Sequence, residues 1–324
     1  MSGHANEVTN LNCCFTVLDN EALLHLEGPD TLTFLQGQLT CDTRKLSSEQ
    51  ALPGLYCTPQ GRVICDFLLL QLAPGHVALR LRSELRADSA ATLAKYIVFS
   101  KSRLLADDDD WQLVGCWGPG AASALRGAFG EVPGGQYQIS QGEGRVLVQT
   151  DAGGEMFECL LRGAQAGTLL DRLQQDASPA ARTAWEASLI RAGVPRIAAA
   201  TSGEFIPQML NYDLTGQVSF SKGCYTGQEV IARMHYRGKP KRRLYLASLT
   251  QGELAGGDPP APGLALYSAG EQSVGTVVNA AQGEGGQWQL LVTATREGAT
   301  GGLHLASPAG PRLALGELPY PVPQ

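Results

Sequence analysis

The chain has 324 residues, a formal net charge of −6, and a composition that is 44% hydrophobic and 17% charged. This composition is typical of a globular protein with two or three domains, and it excludes an intrinsically disordered chain. The acidic balance also argues against binding to nucleic acid through bulk charge.

The first 110 residues predict a mixture of helices and strands. Asp30 is placed to cap a helix in GPDTLTFLQGQLT, whose leucines follow at helical spacing. The segments VICDFLLLQL and HVALRL predict two strands of a hairpin that turns at Pro74–Gly75, and SELRADSAATLAKYIVF predicts a second helix capped at Ser83.

Residues 111–195 repeat this mixture and then end it. WQLVGCW, VLVQT and FECLLR predict strands, and AASALRGAF and AGTLLDRLQQDA predict helices. ARTAWEASLIRAGVPR predicts a helix that is stopped by Gly193 and Pro195. Irregular sequence follows. From Leu244 onward, five short strands between glycine and proline turns predict a small closed or nearly closed β-barrel, with no further helix.

The eight cysteines are scattered, and no two form a CxxC pair. This spacing excludes a zinc ribbon and a disulfide framework. Residues 1–10 have neither the apolar core of a secretory signal nor the arginines of a transit peptide, and no stretch has the length of a membrane span. We therefore expect a cytoplasmic protein with free thiols and no stable membrane association.

One cysteine stands out by its surroundings, because Cys224 lies in the segment SKGCYTGQE with Lys222 two residues before it. A neighbouring cation favours the reactive thiolate, and the flanking glycines allow a loop that presents the sulfur and backbone N–H groups to a ligand. The alternative is that Cys224 is a small buried apolar residue, as most free cysteines are. The residues alone leave both interpretations open.

The same region is strongly basic. Between residues 221 and 243 one acid, Glu229, accompanies seven basic residues: Lys222, Arg233, Arg237, Lys239, Lys241, Arg242 and Arg243. Tyrosines are interleaved with them, and arginine with aromatic rings is suited to holding polyanions and stacking planar groups. The pattern favours a polyglutamated cofactor tail or an RNA backbone over a merely solvated loop.

Two further residues are candidates for a site. Alternation along the strand places Asp66 on the face of Ile64 and Leu68, which mildly favours a pocket for its carboxylate, although a capping or turn role is equally common. Trp185 lies on an apolar helix face. Such a position is more often core, but a planar heterocycle would bind to such a ring.

The segment SKGCYTGQEVIARMHYRGKPKRRL closely resembles the K-G-C-Y-x-G-Q-E signature of the YgfZ-type folate-binding proteins. Further landmarks of that family occur in the same order over nearly the whole chain: GPDTLTFLQGQLTCD, TPQGRVICDFLLL, KYIVFSKSRL, AGVPRI, GEFIPQMLNYDL and GELPYP. Proteins of this family are related to the glycine-cleavage aminomethyltransferase. They are implicated in iron–sulfur cluster assembly or repair and in transfer-RNA modification.

The resemblance implies an α+β fold with a folate-binding region in residues 1–240, split near residue 110, and a C-terminal β-barrel in residues 241–324. It implies tetrahydrofolate as cofactor, held in a central channel near Trp185. The family's activity is tied to the cysteine of the signature, which corresponds to Cys224, with Lys222 beside it. We expect the cofactor-binding set to be completed by Arg191, Tyr225, Gln228, Glu229 and Arg237.

Three positions depart from the family and its enzyme relatives. Glu21 stands where some members have a tryptophan, and Arg191 stands where aminomethyltransferases have the acid that grips the pterin. Cys65 and Asp66 stand where those enzymes have two acids. These departures argue against simple aminomethyl transfer.

Three functions follow from these observations. The first is a tetrahydrofolate-binding protein that supports iron–sulfur enzymes, including enzymes that modify transfer RNA, through Cys224. The second is a folate-dependent one-carbon transferase or demethylase in which Asp66 steers proton transfer. The third is a non-catalytic module that docks RNA or a protein through Arg242 and Arg243. The departures lower the second and the net acidity lowers the third, so direct nucleic-acid binding stays open.

Overall fold

The computed structural model of the chain describes residues 13–107, 110–163, 165–254 and 258–323. The strands are, in chain order, β1 (Cys14–Val17), β2 (Glu21–Glu27), β3 (Leu52–Cys57), β4 (Val63–Ala73), β5 (His76–Arg82), β6 (Arg103–Leu105), β7 (Trp111–Trp117), β8 (Ile139–Gly142), β9 (Arg145–Gln149), β10 (Met156–Arg162), β11 (Ser178–Pro179), β12 (Arg242–Leu249), β13 (Ala265–Tyr267), β14 (Gly275–Gln282), β15 (Trp288–Thr295), β16 (His304–Leu305) and β17 (Ala314–Gly316). The α-helices are α1 (Thr31–Gln36), α2 (Ser83–Ala94), α3 (Ala121–Phe129), α4 (Gln165–Leu173), α5 (Arg182–Arg191), α6 (Gln228–Arg237) and α7 (Arg296–Gly301). Within the described ranges, these helices are all too short or too polar to cross a bilayer.

The chain divides into two compact units. Among the described residues, the first unit contains 13–18 and 110–181, and the second contains 19–107 and 182–323. The first unit is a six-stranded sheet in the order β11-β1-β7-β10-β9-β8, in which β11 alone pairs in parallel. Helices α3 and α4 contact each other and strand β10, so their apolar faces are buried against this sheet.

The second unit begins with an antiparallel five-stranded sheet in the order β3-β4-β5-β2-β6. The hairpin predicted at Pro74–Gly75 is confirmed, because it joins β4 to β5. Helix α2 packs on β2, β4 and β5, and the apolar side chains of the sheet form one core with Leu85 and Leu93 of the helix. The strand register places Glu21 opposite Arg82, and Arg80 two residues before Arg82 on the same sheet face, which also carries Asp66.

The C-terminal strands form a curled, antiparallel half-barrel in the order β16-β13-β14-β15-β12-β17. Its edge strands β16 and β17 are not paired with each other in the part of the chain that the structure describes. Helix α5 packs against β14 and β15. The predicted α+β fold class is therefore confirmed. The half-barrel belongs to the second compact unit, and the predicted domain boundary at residue 240 stays a prediction.

Three local expectations differ from the structure. Asp30 does not cap α1 with its side chain, because its carboxylate accepts a hydrogen bond of 2.8 Å from the backbone N–H of Lys101. Helix α2 ends at Ala94, and residues 97–99 form a separate 3-10 turn in which Phe99 is exposed. Helices α6 and α7 were not predicted, because α6 buries a single residue, Ile231, and α7 is six residues long and contains two glycines.

One arginine bridges the two buried carboxylates on the charged face of the five-stranded sheet. Arg196 follows α5, and its buried guanidinium donates hydrogen bonds to Asp66 on β4 and, at 2.9 Å, to Glu21 on β2. Glu21 also lies 3.4 Å from Arg80. Burial opposes the ionisation of Glu21, but Arg196, Arg80 and Arg82 outweigh burial and lower its pKa to about 2.

The backbone around Arg196 is held from two further directions. Its N–H donates to Asn279 Oδ1 at 2.8 Å, and the Asn279 amide donates back to its carbonyl at 2.9 Å. The next residue, Ile197, donates its N–H to Asp66 Oδ1 at 2.6 Å. The segment after α5 is therefore fastened both to the sheet and to strand β14 of the half-barrel.

We expect Glu21→Gln to destabilise the protein at pH 7 by about 3 kcal/mol, because the buried guanidinium groups of Arg80 and Arg196 each lose a carboxylate partner. A folded-state pKa below the unfolded value of 4.5 means that this stability is present above pH 4.5 and is lost as the pH falls toward 2. The difference between wild type and variant should thus stay constant from pH 7 to 5 and narrow by about 1 kcal/mol by pH 3.5. Urea unfolding across this pH range measures it.

The matched control is Glu27→Gln, which removes a half-exposed carboxylate at the other end of the same strand. It should change the unfolding free energy by less than about 0.5 kcal/mol. A loss in Glu21→Gln that does not vary down to pH 3.5 would contradict the proposed charge network.

Candidate functional site

The thiol of Cys224 is the exposed one among the eight cysteines, all of which lie in described ranges. Six of the others are buried, and Cys14 is half-buried. Cys224 lies in the loop of residues 219–227, hereafter the thiol loop, which comes after the 3-10 turn of residues 207–210 and directly before α6. Its side chain makes no hydrogen bond within the described part of the chain, so the sulfur is open to an external partner.

Lys222 fixes the thiol loop rather than lying at its surface. Its ammonium is buried and donates three hydrogen bonds to backbone carbonyls at the end of α1 and in the segment that follows, at 2.7 Å to Gln36, 2.6 Å to Leu39 and 2.9 Å to Cys41. Burial lowers the pKa of Lys222 to about 8, so at neutral pH the group keeps its proton and uses all three N–H bonds. Lys222 therefore anchors the loop two residues from Cys224.

Tyr225 and Gly227 hold the other side of the thiol loop. Tyr225 is buried in the apolar core of the second unit, and the Lys222 ammonium lies 5.0 Å from the centre of its ring. Gly227 has φ of +86°, and a Cβ at this position would lie 2.5 Å from the carbonyl oxygen of Thr58. Only glycine fits this close approach, so the loop ends against the turn between β3 and β4.

Helix α6 begins directly after this glycine. Gln228 is half-buried and Glu229 is exposed in its first turn, while Arg237 is exposed in its last turn. Of its ten residues only Ile231 is buried. The structure thus places Gln228 and Glu229 next to the thiol loop in the chain, and Arg237 more than two helical turns further along.

The remaining predicted residues lie elsewhere in the second unit. Asp66 is buried, with one oxygen bonded to Arg196 and the other to the N–H of Ile197. Trp185 is buried in α5. Arg191 is exposed at the end of α5, where it donates to Gln289 of β15 at 3.2 Å. Asp66 and Arg191 thus form these hydrogen bonds with residues outside the thiol loop.

A cavity of about 390 Å³ lies between α5, the end of β5 and strand β14, in the second unit. One part of its wall is apolar and consists of Leu189, Ile190, Val194, Ala198, Pro262 and Ala280. The other part carries two guanidinium and two carboxylate groups, from Arg82, Glu84, Glu186 and Arg196. Its volume and its mixed lining are those of a small-molecule site.

The charged part of the cavity has unused hydrogen-bonding capacity. The Nε atom of Arg82 is buried and has no hydrogen-bond partner among the described residues. One terminal nitrogen of Arg82 lies 3.6 Å from Glu186, too far for a good hydrogen bond. Leaving a buried donor without a partner costs about 1–3 kcal/mol, so this side chain is held by its surroundings at some cost in stability.

The sequence-based search missed the charged residues of the cavity. Arg82 and Glu186 lie on a strand and a helix where a polar residue is unremarkable, and only their tertiary partners distinguish them. Arg196 offered a signal, because it is a lone charge within the apolar run VPRIAAA. Such a charge must be paired when its segment is buried. Two of the predicted cofactor-binding residues, Trp185 and Arg191, lie on helix α5, which forms one wall of the cavity, but neither residue lines it.

The fold matches that of a solved enzyme structure. The glycine cleavage system aminomethyltransferase T from Bartonella henselae superposes with a TM-score of 0.71 at 17% sequence identity, over 94% of this chain and 84% of that protein. At this identity the likeness shows a shared fold. No protein-family model matches the chain.

Curated relatives are similar over almost the whole length. The tRNA-modifying protein YgfZ of Serratia proteamaculans is 35% identical over 306 residues, which span 94% of this chain and 91% of the relative. The tRNA-modifying protein YgfZ of Pectobacterium atrosepticum is 34% identical over 318 residues, spanning 97% and 93%. The resemblance predicted from the thiol-loop signature is confirmed, and the chain belongs to the YgfZ family.

Proposed function

We propose that this protein binds tetrahydrofolate and supports the assembly or repair of iron–sulfur clusters, including those of enzymes that modify transfer RNA. The observation that carries this proposal is the exposed Cys224 on a loop that Lys222 anchors. The name of the relatives, tRNA-modifying protein, supports the connection to transfer RNA. The aminomethyltransferase-like fold supports the connection to folate.

The cavity fits the chemistry of a reduced folate. A pterin ring has flat apolar faces and an edge of N–H and carbonyl groups, and the benzoylglutamate tail ends in carboxylates. The apolar wall formed by α5 and β14 suits the faces, and Glu186 suits the donor edge. The guanidinium of Arg82, on the same wall, suits a carboxylate or carbonyl. When bound, tetrahydrofolate supplies a carrier for one-carbon units.

Cys224 has the properties of a transient cluster ligand. Thiolates bind the iron of such clusters, but a stable cluster needs several ligands. The other cysteines of the chain are buried or half-buried, so they do not complete a set around Cys224. We therefore propose that Cys224 contacts a cluster held mainly by a client enzyme, and that the rigid loop keeps the sulfur exposed for this contact.

The geometry does not favour the alternative of proton transfer by Asp66. A general base needs a lone pair within reach of its substrate. Each carboxylate oxygen of Asp66 accepts a hydrogen bond, one from the Arg196 guanidinium and the other from the Ile197 N–H, and the side chain is buried, which limits the access of a substrate. The bond from Arg196 to Asp66 supports a structural part for this carboxylate beside the cavity wall.

We expect Arg82→Gln and Glu186→Gln each to weaken tetrahydrofolate binding about tenfold or more, because each removes a charged hydrogen-bonding group from the cavity. Anaerobic calorimetric titration with tetrahydrofolate measures the dissociation constant. Arg172→Gln, which removes an exposed arginine on α4, is the matched control and should bind as wild type does. Equal affinities for all four proteins would place the folate elsewhere.

We expect Cys224→Ser to reduce transfer-RNA thiolation in cells to the level of a deletion strain, while the purified variant unfolds within about 0.5 kcal/mol of wild type. The exposed sulfur makes no contact that holds the fold, so only its chemistry is lost. Cys14→Ser, at a half-buried thiol in the first unit, should leave thiolation unchanged. Full thiolation with Cys224→Ser would refute the thiol's role.

Unlike Cys224→Ser, Lys222→Met should lower the stability of the fold, because three backbone carbonyl groups lose the donor that Lys222 provides. We expect a loss of about 3 kcal/mol in the free energy of unfolding, measured by urea titration. An unchanged stability would show that the ammonium does not anchor the thiol loop.

A further inference from the structure

The exposed side of helix α6 carries cations that have no acidic partner. Arg233, Arg237, Lys239 and Lys241 are all exposed, and none forms an ion pair with a described residue. No acid occurs between residues 233 and 241. In a chain with a net charge of −6, this concentration produces a local positive potential that would attract a polyanion.

The structure separates these free cations from the other basic residues of the segment. Lys222 is buried under the thiol loop, and Arg243 forms two hydrogen bonds with the Asp213 carboxylate, at 2.7 and 3.1 Å. Arg242 is half-buried and donates to the carbonyl of Ser273. The cations of residues 233–241 are therefore more available to a partner than Arg242 and Arg243, whose docking role stays a prediction.

Three aromatic rings form a cluster beside these cations. The ring of Phe220, from the thiol loop, stacks on that of His235 with centroids 3.6 Å apart and an angle of 15° between the planes. The ring of Tyr236 meets His235 edge-on at 4.8 Å and Phe220 at 6.2 Å. Tyr236 remains 67% exposed, so its ring is supported on one side and open on another.

Helical periodicity brings the two features together. At 100° per residue, Arg233, Tyr236 and Arg237 lie within about 100° of one another around α6, on the side away from the buried Ile231. Lys239 and Lys241 continue directly from the end of this helix. An open aromatic ring flanked by several unpaired cations is the combination that holds an unpaired base and the phosphates on either side of it.

We propose that this surface, formed by Tyr236 with Arg233, Arg237, Lys239 and Lys241, binds RNA at a single-stranded segment. The phosphates contact the four cations, and one unpaired base stacks on Tyr236. Because Phe220 belongs to both the aromatic cluster and the thiol loop, bound RNA lies beside the loop that presents Cys224. This inference goes beyond the proposed function and does not depend on folate binding.

The test uses the full-length protein and a fluorescently labelled RNA stem-loop with seven unpaired nucleotides, with anisotropy measured between 50 and 300 mM KCl. For four phosphate contacts, the logarithm of the association constant should fall with the logarithm of salt concentration with a slope of about −3. The double variant Lys239→Gln/Lys241→Gln should bring this slope to about −1.4. Lys45→Gln, which removes an exposed lysine of the same unit, should leave slope and affinity unchanged.

Stacking is tested separately from charge. Tyr236→Ala should weaken binding about tenfold without changing the salt slope, because it removes a stacking surface and no charge. Tyr236→Phe keeps the ring and should bind as wild type does. A fully paired RNA duplex of the same length should bind more weakly than the stem-loop.

Three results would overturn the proposal: no binding of the stem-loop at 50 mM KCl, equal binding of stem-loop and duplex, or full binding by Tyr236→Ala. If heparin, a polyanion without bases, displaces the RNA and Tyr236→Ala has no effect, the surface is a general polyanion site. If an acidic protein binds there and RNA does not, the surface is a protein interface. Tyr236→Ala should bind tetrahydrofolate as wild type does. The RNA proposal can then be refuted without refuting the folate proposal.

Discussion

The guanidinium of Arg196 is the interaction on which the second unit depends. It brings together carboxylates from two strands of one sheet, and the backbone beside it is bonded to the half-barrel through Asn279. A buried ion pair of this kind contributes less to stability than its Coulomb energy implies, because both charges lose their hydration. Its effect is geometric, since a buried charge that has one satisfactory set of partners admits one arrangement of the chain.

This arrangement has consequences for the cavity. Arg196 lines it, and the Asn279 side chain that receives the Arg196 backbone lines it as well. The same contacts hold helix α5 against β14, because Arg196 lies only five residues after the end of the helix. A ligand in the cavity would thus meet walls that are already in place, which reduces the entropic cost of binding.

The thiol loop follows a different design. The ammonium of its anchor, Lys222, donates all three of its hydrogen bonds to backbone carbonyls. The loop ends at Gly227, where a side chain would collide with the carbonyl oxygen of Thr58. These constraints hold the backbone and leave the Cys224 sulfur uncommitted. The neighbouring helix α6, with a single buried residue, adds an open surface to the loop. A site that binds large partners requires a rigid backbone that presents an exposed reactive group.

The sequence by itself determined the helices and strands with strong periodicity, the fold class and the thiol-loop signature, because these depend on residues close together in the chain. It also singled out Cys224 from eight cysteines by its immediate neighbours. Only the tertiary structure decided that Lys222 donates to distant backbone carbonyls, that Asp66 is paired with Arg196, and that residues from Arg82 to Ala280 line one cavity. Those outcomes depend on contacts between residues more than 100 positions apart, and neither hydrophobic periodicity nor local spacing carries information about such contacts.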